Sequence, residues 1–217
     1  MMDWLILRHG QSVADIEDRY EGRSDFPLTA AGRDQAERAA RWIVESYRFV
    51  PEIIIASPLQ RARETAVILA RRCGLELRLD DGLLEMDCGR IAGLPKAEAD
   101  RRFPVPRGGF RAYQRRGETG ESLLGFRARV EDCWLRLADE AAAAGWERAA
   151  LVCHGGTINM LFQSFLNLPL TAGTVLATGD TGIHLWRIRD GVGRIVFANY
   201  LGHLSPFNID EGFPEDV

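Results

Sequence analysis

Phosphoryl groups are moved by a small set of side chains, and this sequence places such side chains directly after short apolar runs. Arg8 and His9 follow Trp4-Leu5-Ile6-Leu7, Ser57 and then Arg61 follow Ile53-Ile54-Ile55-Ala56, and His154-Gly155-Gly156 follows Ala149-Ala150-Leu151-Val152-Cys153. Two guanidinium groups, two imidazoles and the free backbone amides of two helix starts together describe a pocket for a compact dianion such as a phosphoryl group.

Each residue type has a physical reason to be there. Arginine offers planar, bidentate donors to phosphoryl oxygens, and the glycine pair after His154 lets backbone amides approach without side-chain obstruction. Binding alone needs no second histidine. A neutral imidazole attacks phosphorus through one ring nitrogen when a hydrogen bond at the other holds its tautomer, and neighbouring cations favour the neutral form. The leaving alkoxide needs a proton donor. Glu85 in Leu83-Leu84-Glu85-Met86 is the candidate, because apolar neighbours raise a carboxyl pKa.

These residues require elements that bring distant stretches together. Continuous apolar runs of this kind suit parallel strands buried on both faces. Helices are expected between them: from Thr29 to Tyr47, with Thr29 as cap; from Ser57 to Gly74, with Ser57 as cap, Pro58 at the first position and Gln60 completing a capping box; from Ser122 to Ala143; and from Gly155 until Pro169. Residues 182–189 and 194–199 flank Asp190-Gly191-Val192-Gly193 as an antiparallel hairpin. The expected fold is α/β, three-layer α/β/α, with a mainly parallel central sheet and an antiparallel edge hairpin. In open sheets of this class the carboxyl ends of the strands border the ligand crevice, so the polar clusters should converge there.

No linker or repeat divides the chain, and a single domain over 1–217 is expected. Residues 94–120 differ: Pro104, Pro106, Gly108 and Gly109 interrupt them, and Lys96, Arg101, Arg102, Arg107, Arg111, Arg115 and Arg116 skew their charge. This stretch reads as a lid-like insertion over the site.

Composition narrows the class. The chain has 217 residues, 46% of them hydrophobic, which suffices for a substantial core. A formal net charge of -4 does not advertise a nucleic-acid or membrane partner, so any anion site must be local. Cys73, Cys88, Cys133 and Cys153 lack zinc or redox spacing, and none has an arginine six residues later as a phosphocysteine loop requires. They read as reduced thiols. No apolar run approaches the ~20 residues of a membrane helix. A cytoplasmic location, a small phosphorylated substrate, no metal and no cofactor are the expectations, with a homodimer as one possible assembly. His184 and His203 are expected to be structural, and Trp134, Trp146 and Trp186 to pack in or near the core.

Taken in order, these motifs resemble the histidine phosphatase superfamily, which includes the cofactor-dependent phosphoglycerate mutases. Leu5-Ile6-Leu7-Arg8-His9-Gly10-Gln11-Ser12 is similar to its opening motif, continued by Gly22-Arg23-Ser24-Asp25-Phe26-Pro27-Leu28-Thr29 and Gly32. Ser57-Pro58-Leu59-Gln60-Arg61-Ala62-Arg63-Glu64-Thr65-Ala66, Glu85 with Gly89 and Gly93-Leu94, Gly120-Glu121-Ser122, Cys153-His154-Gly155-Gly156-Thr157 and the stretch from Asn199 to Leu204 resemble further signatures. The resemblance implies that His9 is phosphorylated as an intermediate, that Arg8, Arg61 and His154 stabilise the phosphoryl charge, and that Glu85 is the proton donor. Gln11, Ser12, Asp15, Glu21, Arg23 and Gly155 would line the substrate side.

Three positions depart from the family pattern. Asp15 stands where an asparagine usually touches the phosphoryl group, and an ionised carboxylate there would repel a dianion. Glu21 stands where mutases have a small hydroxyl residue. Asp15 and Glu21 are expected either to bond to Arg19 and Arg23 or to face a cationic or hydroxyl-rich part of the substrate. After Glu85, mutases place an arginine and a tyrosine, whereas Met86-Asp87-Cys88 follow here. The expected activity is therefore phosphomonoester hydrolysis through phosphohistidine. A phosphoglycerate mutase-type phosphotransferase and an idle phosphate-binding protein are the alternatives.

Overall fold

The computed structural model describes residues 1–170 and 173–205, so residues 206–217 of the expected 1–217 span lie outside the described residues. Its centre is strand β1 (Met2–Arg8), in which Trp4, Leu5, Ile6 and Leu7 are all buried. Each such side chain removed from water contributes roughly 1.5–3 kcal/mol, which is why the run reads as an unbroken apolar stretch.

The chain then forms the short α1 (Val13–Ile16), α2 (Ala30–Arg41) and a π-helical turn over Trp42–Ser46. Strand β2 (Ile53–Ala56) leads to α3 (Gln60–Cys73), strand β3 (Leu77–Leu79) and α4 (Lys96–Arg102). Helix α5 (Leu123–Ala144), β4 (Arg148–Cys153) and α6 (Gly155–Phe165) follow. A hairpin of β5 (Ile183–Arg189) and β6 (Val192–Tyr200) closes the sheet.

Strand order is β3-β2-β4-β1-β5-β6. Strands β3, β2, β4 and β1 pair in parallel, while β5 pairs antiparallel with both β1 and β6. Parallel neighbours need long crossovers, which the helices supply, whereas the tight turn at Asp190-Gly191 permits the hairpin. Strand β3 has no counterpart in the sequence expectation, because Leu77-Arg78-Leu79 is too short and too polar to stand out.

Side chains of β1 alternate between two cores. Trp4 and Ile6 pack with Phe126, Val130, Trp134 and Leu137 of α5 and Ile158 and Leu161 of α6. Leu5 and Leu7 pack with Ala36, Ala39 and Ala40 of α2 and Ala66 and Leu69 of α3 on the opposite face. Three layers result, in the expected α/β/α arrangement.

Caps explain most helix boundaries. Thr29 accepts a bond from the Gly32 amide and Ser122 one from the Gly125 amide, as expected of N-caps. Gly74, at φ 68°, ends α3 in the left-handed region that glycine adopts without strain. The start of α3 corrects the sequence reading. Leu59, not Ser57, holds the cap position, and Gln60 makes no capping box; its amide instead bonds Asp25 Oδ1 at 2.6 Å. The Ser57 hydroxyl lies 2.8 Å from His154 Nε2 and accepts only the Leu59 amide, at 3.4 Å. Helix α6 likewise stops at Phe165, before Pro169.

Candidate active site

Strands β2, β4 and β1 lie side by side and run in the same direction, so their carboxyl ends place Ser57, His154 and the Arg8-His9 pair at one edge of the sheet. The imidazoles of His9 and His154 have centroids 5.2 Å apart. Arg61 reaches them from the first turn of α3, where the helix dipole also favours an anion.

The tautomer of His9 follows from its partners. Nδ1 lies 2.8 Å from the Gly10 carbonyl oxygen, which can only accept, so Nδ1 carries the proton. Nε2 is left with its lone pair and receives the Arg61 Nε–H at 3.3 Å. Burial, then the Arg61 and Arg8 charges, push the His9 pKa well below the ordinary imidazole value. A neutral imidazole with Nε2 as its free base is the form a nucleophile requires.

Arg61 is fully buried, and its guanidinium is aimed by two carbonyls: Nη1 donates to Ser24 and Nη2 to Gly22, each at 2.9 Å. Arg8 donates from Nη1 to the Thr178 carbonyl at 2.7 Å and faces Asp180 at 3.3 Å. Its Nε, close to the start of α6 where Gly155 lies, has no partner among the described residues. His154 Nε2 sits 2.8 Å from Ser57 Oγ, and burial followed by the Arg61 charge lowers its pKa well below 6.5.

Glu85 is brought to the same edge by the loop after β3. Its Oε1 accepts the Met86 amide at 2.8 Å and its Oε2 the Gly156 amide at 2.9 Å, at the first turn of α6. Enclosure by protein raises its pKa, and the two amides and Arg61 only partly oppose that shift. A Cβ on Gly156 would overlap Glu85 Oε1, so the second glycine of the pair is required by this contact.

The acids read as anomalies have definite partners. Asp15 Oδ2 accepts the Ser12 amide at 2.7 Å, and the Ser12 hydroxyl in turn receives the Asp15 amide at 3.3 Å, a reciprocal cap on α1. Asp15 thus pairs with neither Arg19 nor Arg23, which correct the expectation by bonding elsewhere: Arg19 to Glu17 and the Gly93 carbonyl, Arg23 to Glu121 and the Glu85 carbonyl. Glu21 contacts the Ser12 hydroxyl and lies 3.3 Å from Arg61 Nε and 3.7 Å from His9 Nε2. Gln11 Oε1 accepts the Thr29 hydroxyl at 2.9 Å.

Other nucleophile and ligand readings have structural answers. Burial pushes the Cys153 thiol pKa up, which suppresses the thiolate a cysteine nucleophile needs. Among the described residues, no three His, Cys, Asp or Glu side chains cluster as a metal site. His184 bonds Thr178 and the Asn199 amide, and His203 bonds Thr181.

Three contributions escaped sequence reasoning. Ser57 looked like a cap because serine before proline usually is one. Thr178 and Asp180, which steer Arg8, lie far from it in sequence. Arg129 carries no motif, yet its Nη atoms donate to the carbonyls of Gly82 and Leu84 at 3.0 Å and of Glu85 at 3.3 Å, while Nε and Nη2 grip Glu121 at 2.8 and 3.0 Å. The only hint in the sequence is a cation beside the apolar stripe of Phe126, Val130 and Cys133.

Known proteins resemble this chain in sequence and in overall fold. The family model for the histidine phosphatase superfamily (branch 1) matches residues 4–200. The glucosyl-3-phosphoglycerate phosphatase of Mycobacterium tuberculosis is 32% identical over 93% of this chain and 86% of its own. A probable phosphoglycerate mutase of Enterobacter sp. is 34% identical over 79% of this chain and 78% of its own. The solved structure of a mycobacterial glucosyl-3-phosphoglycerate phosphatase with VO3 superposes with a TM-score of 0.79 at 30% identity, over 92% of this chain and 99% of that one. Among the described residues, no helix is long and apolar enough to cross a membrane. The chain belongs to the histidine phosphatase superfamily, and its enzyme class is that of a phosphoric monoester hydrolase.

Proposed function

We propose that this chain, as one cytoplasmic histidine phosphatase domain, hydrolyses a small phosphorylated metabolite through a phosphohistidine on His9. The observation that carries this reading is the His9 ring: proton on Nδ1 toward Gly10, lone pair on Nε2 beside Arg61.

In the first step the Nε2 lone pair forms a bond to phosphorus as the bond to the substrate oxygen breaks, and protonated Glu85 gives its proton to that oxygen. In the second step water attacks the phosphohistidine, Glu85 takes a proton from it, and the N–P bond pair returns to Nε2. Arg8, Arg61 and His154 face the equatorial oxygens throughout. The Gly155 amide, free at the helix start, supports the same charge, and Gln11, Ser12, Glu21 and Arg23 border the substrate.

No metal is needed, because two guanidinium groups already supply the positive charge. The relatives named for glucosyl-3-phosphoglycerate favour a phosphorylated sugar or organic-acid derivative as the general substrate type. Absence of the arginine and tyrosine that hold phosphoglycerate after the acid favours water over a second phosphate acceptor.

The test is phosphate release from a panel of metabolite esters in excess chelator, with wild type and His9→Ala, together with rapid quenching into alkali to preserve phosphohistidine. Release by wild type with loss in His9→Ala and a trapped acid-labile phosphate supports the reading. Release that persists in His9→Ala overturns it.

A further inference from the structure

Glu21 stands where an incoming phosphoryl group must go. Its Oε1 lies 3.3 Å from Arg61 Nε and its Oε2 lies 3.7 Å from His9 Nε2, the two atoms that the hydrolase reading turns toward the phosphoryl group. The carboxylate is tethered there, because Oε1 also contacts the Ser12 hydroxyl. Arg19 and Arg23, the cations of its own loop, pair with Glu17 and Glu121 instead.

Hydrogen-bond capacity shows that this group is one proton short. Ser12 Oγ has a single hydrogen to give, yet two carboxylate oxygens lie within its reach, Glu21 Oε1 and, at 3.0 Å, Asp15 Oδ2. Asp15 also takes the Ser12 amide, which fixes its carboxylate. With both acids ionised, one of these oxygen pairs meets without a hydrogen between them. A proton on Glu21 completes the set. The carboxyl then donates to Ser12 Oγ and the serine to Asp15, while Oγ still accepts the Asp15 amide at 3.3 Å.

Charge balance points the same way. Arg8 and Arg61 are the cations of the pocket, and the carboxyls of Asp15, Glu21, Glu85 and Asp180 act on them or on His9. His9 and His154 add no charge, since burial and then the arginines hold their pKa values low. Burial raises the Glu85 and Asp180 carboxyls, and the Glu21 charge adds to both shifts. Asp180 faces Arg8, and Asp15 faces the Ser12 amide; of the four acids, Glu21 is the one with an oxygen turned to the nucleophile's Nε2. A phosphoryl dianion entering beside it would meet a like charge at close range.

We infer that Glu21 holds a proton when the phosphoryl site is filled, so that the enzyme takes up its ligand together with one hydrogen ion. The inference rests on the hydrolase reading above and adds the protonation state in which that site is occupied. Binding is then favoured at low pH, and it weakens by up to about tenfold per pH unit as pH rises and hydrogen ions become scarcer.

Sulfate is the probe, because it stays a dianion from about pH 5.5 to 8, so any pH dependence of its binding belongs to the protein. In calorimetric titrations of wild type, its Kd should rise by up to about tenfold per pH unit over part of that range. Buffers of different ionisation heat should report about one hydrogen ion taken up per sulfate bound. Glu21→Gln and Glu21→Ser should each flatten the dependence and bind sulfate more tightly than wild type at the alkaline end. Glu85→Gln, which removes the other acid beside the site, should keep a slope that the Glu21 variants lose. A pH-independent Kd in wild type, no sulfate binding at any pH, or a slope that survives in both Glu21 variants overturns the inference. These measurements involve no turnover. Absence of phosphate release from every ester by wild type overturns the hydrolase reading itself, a separate and distinguishable result.

Discussion

The Gly156 amide donates to Glu85 Oε2 at 2.9 Å, which ties the proposed proton donor to the first turn of the helix that begins beside His154. The bond gives the acid its position relative to the phosphoryl pocket and explains why the position after Gly155 bears no side chain. Gly156→Ala would drive a methyl group into Glu85 Oε1. A fall in kcat of about tenfold or more is expected with the fold retained, read by steady-state kinetics beside circular dichroism. Unchanged kcat would show that Glu85 does not act from this position.

The pH profile follows from two opposed shifts. Enclosure raises the Glu85 pKa above the usual carboxyl value, so its acid form persists to higher pH than that of an ordinary glutamate. Burial and neighbouring cations lower the His9 pKa, so the nucleophile stays neutral to lower pH than an ordinary histidine. Activity should be lost on the acid side as His9 protonates and on the alkaline side as Glu85 ionises. Glu85→Gln should cost about 10²–10⁴ in kcat for alkyl phosphates, which need protonation, and far less for p-nitrophenyl phosphate, which does not. Equal losses for both esters would remove Glu85 from the donor role.

Asp15 and Glu21 should separate cleanly. Asp15 is occupied as a reciprocal cap with Ser12, so Asp15→Asn should leave KM nearly unchanged and cost about 1 kcal/mol or less of stability. The Glu21 carboxylate lies beside Arg61 and His9, where a phosphoryl oxygen would compete with it. Removing that charge in Glu21→Gln should tighten product inhibition by inorganic phosphate about tenfold, equivalent to about 1.4 kcal/mol. An unchanged inhibition constant would place the carboxylate outside the phosphate's reach.

Arg129 is expected to act through Glu85 rather than on substrate. Arg129→Met leaves the Gly82 carbonyl without its side-chain donor, while Thr157 still reaches the Leu84 carbonyl and Arg23 the Glu85 carbonyl and the Glu121 carboxylate. A stranded, poorly hydrated polar group costs about 1–3 kcal/mol, so thermal melting should fall. In addition kcat should fall several-fold on alkyl phosphates more than on p-nitrophenyl phosphate, with KM little changed. A drop in melting temperature with no such ester dependence would make Arg129 a structural residue only.

Much of this protein was legible along its sequence because the informative features are local. Apolar runs at Trp4–Leu7, Ile53–Ala56 and Ala149–Cys153 suit strands buried on both faces, and their shortness favours strands over buried helices. The residues following those runs mark the site, because parallel strands send their carboxyl ends to one edge. Thr29, Ser122 and Gly74 declare helix ends through short-range hydrogen bonds or backbone handedness.

What the tertiary structure alone decided concerns partners distant in sequence. Ser57 has the composition of a cap and becomes the partner of His154, because the side-by-side placement of β2 and β4 offers its hydroxyl a buried imbalance to satisfy. Asp15 bonds locally while Glu21, six residues on, turns to Arg61 and His9. Arg129 reaches back to the loop carrying Glu85, and in the basic insertion Arg101, Arg102, Arg107, Arg111 and Arg115 are exposed while Arg116 stacks over the half-buried Phe110 ring. Charge and hydrogen-bond capacity are properties of a residue, but which neighbour satisfies them depends on how the chain folds back on itself.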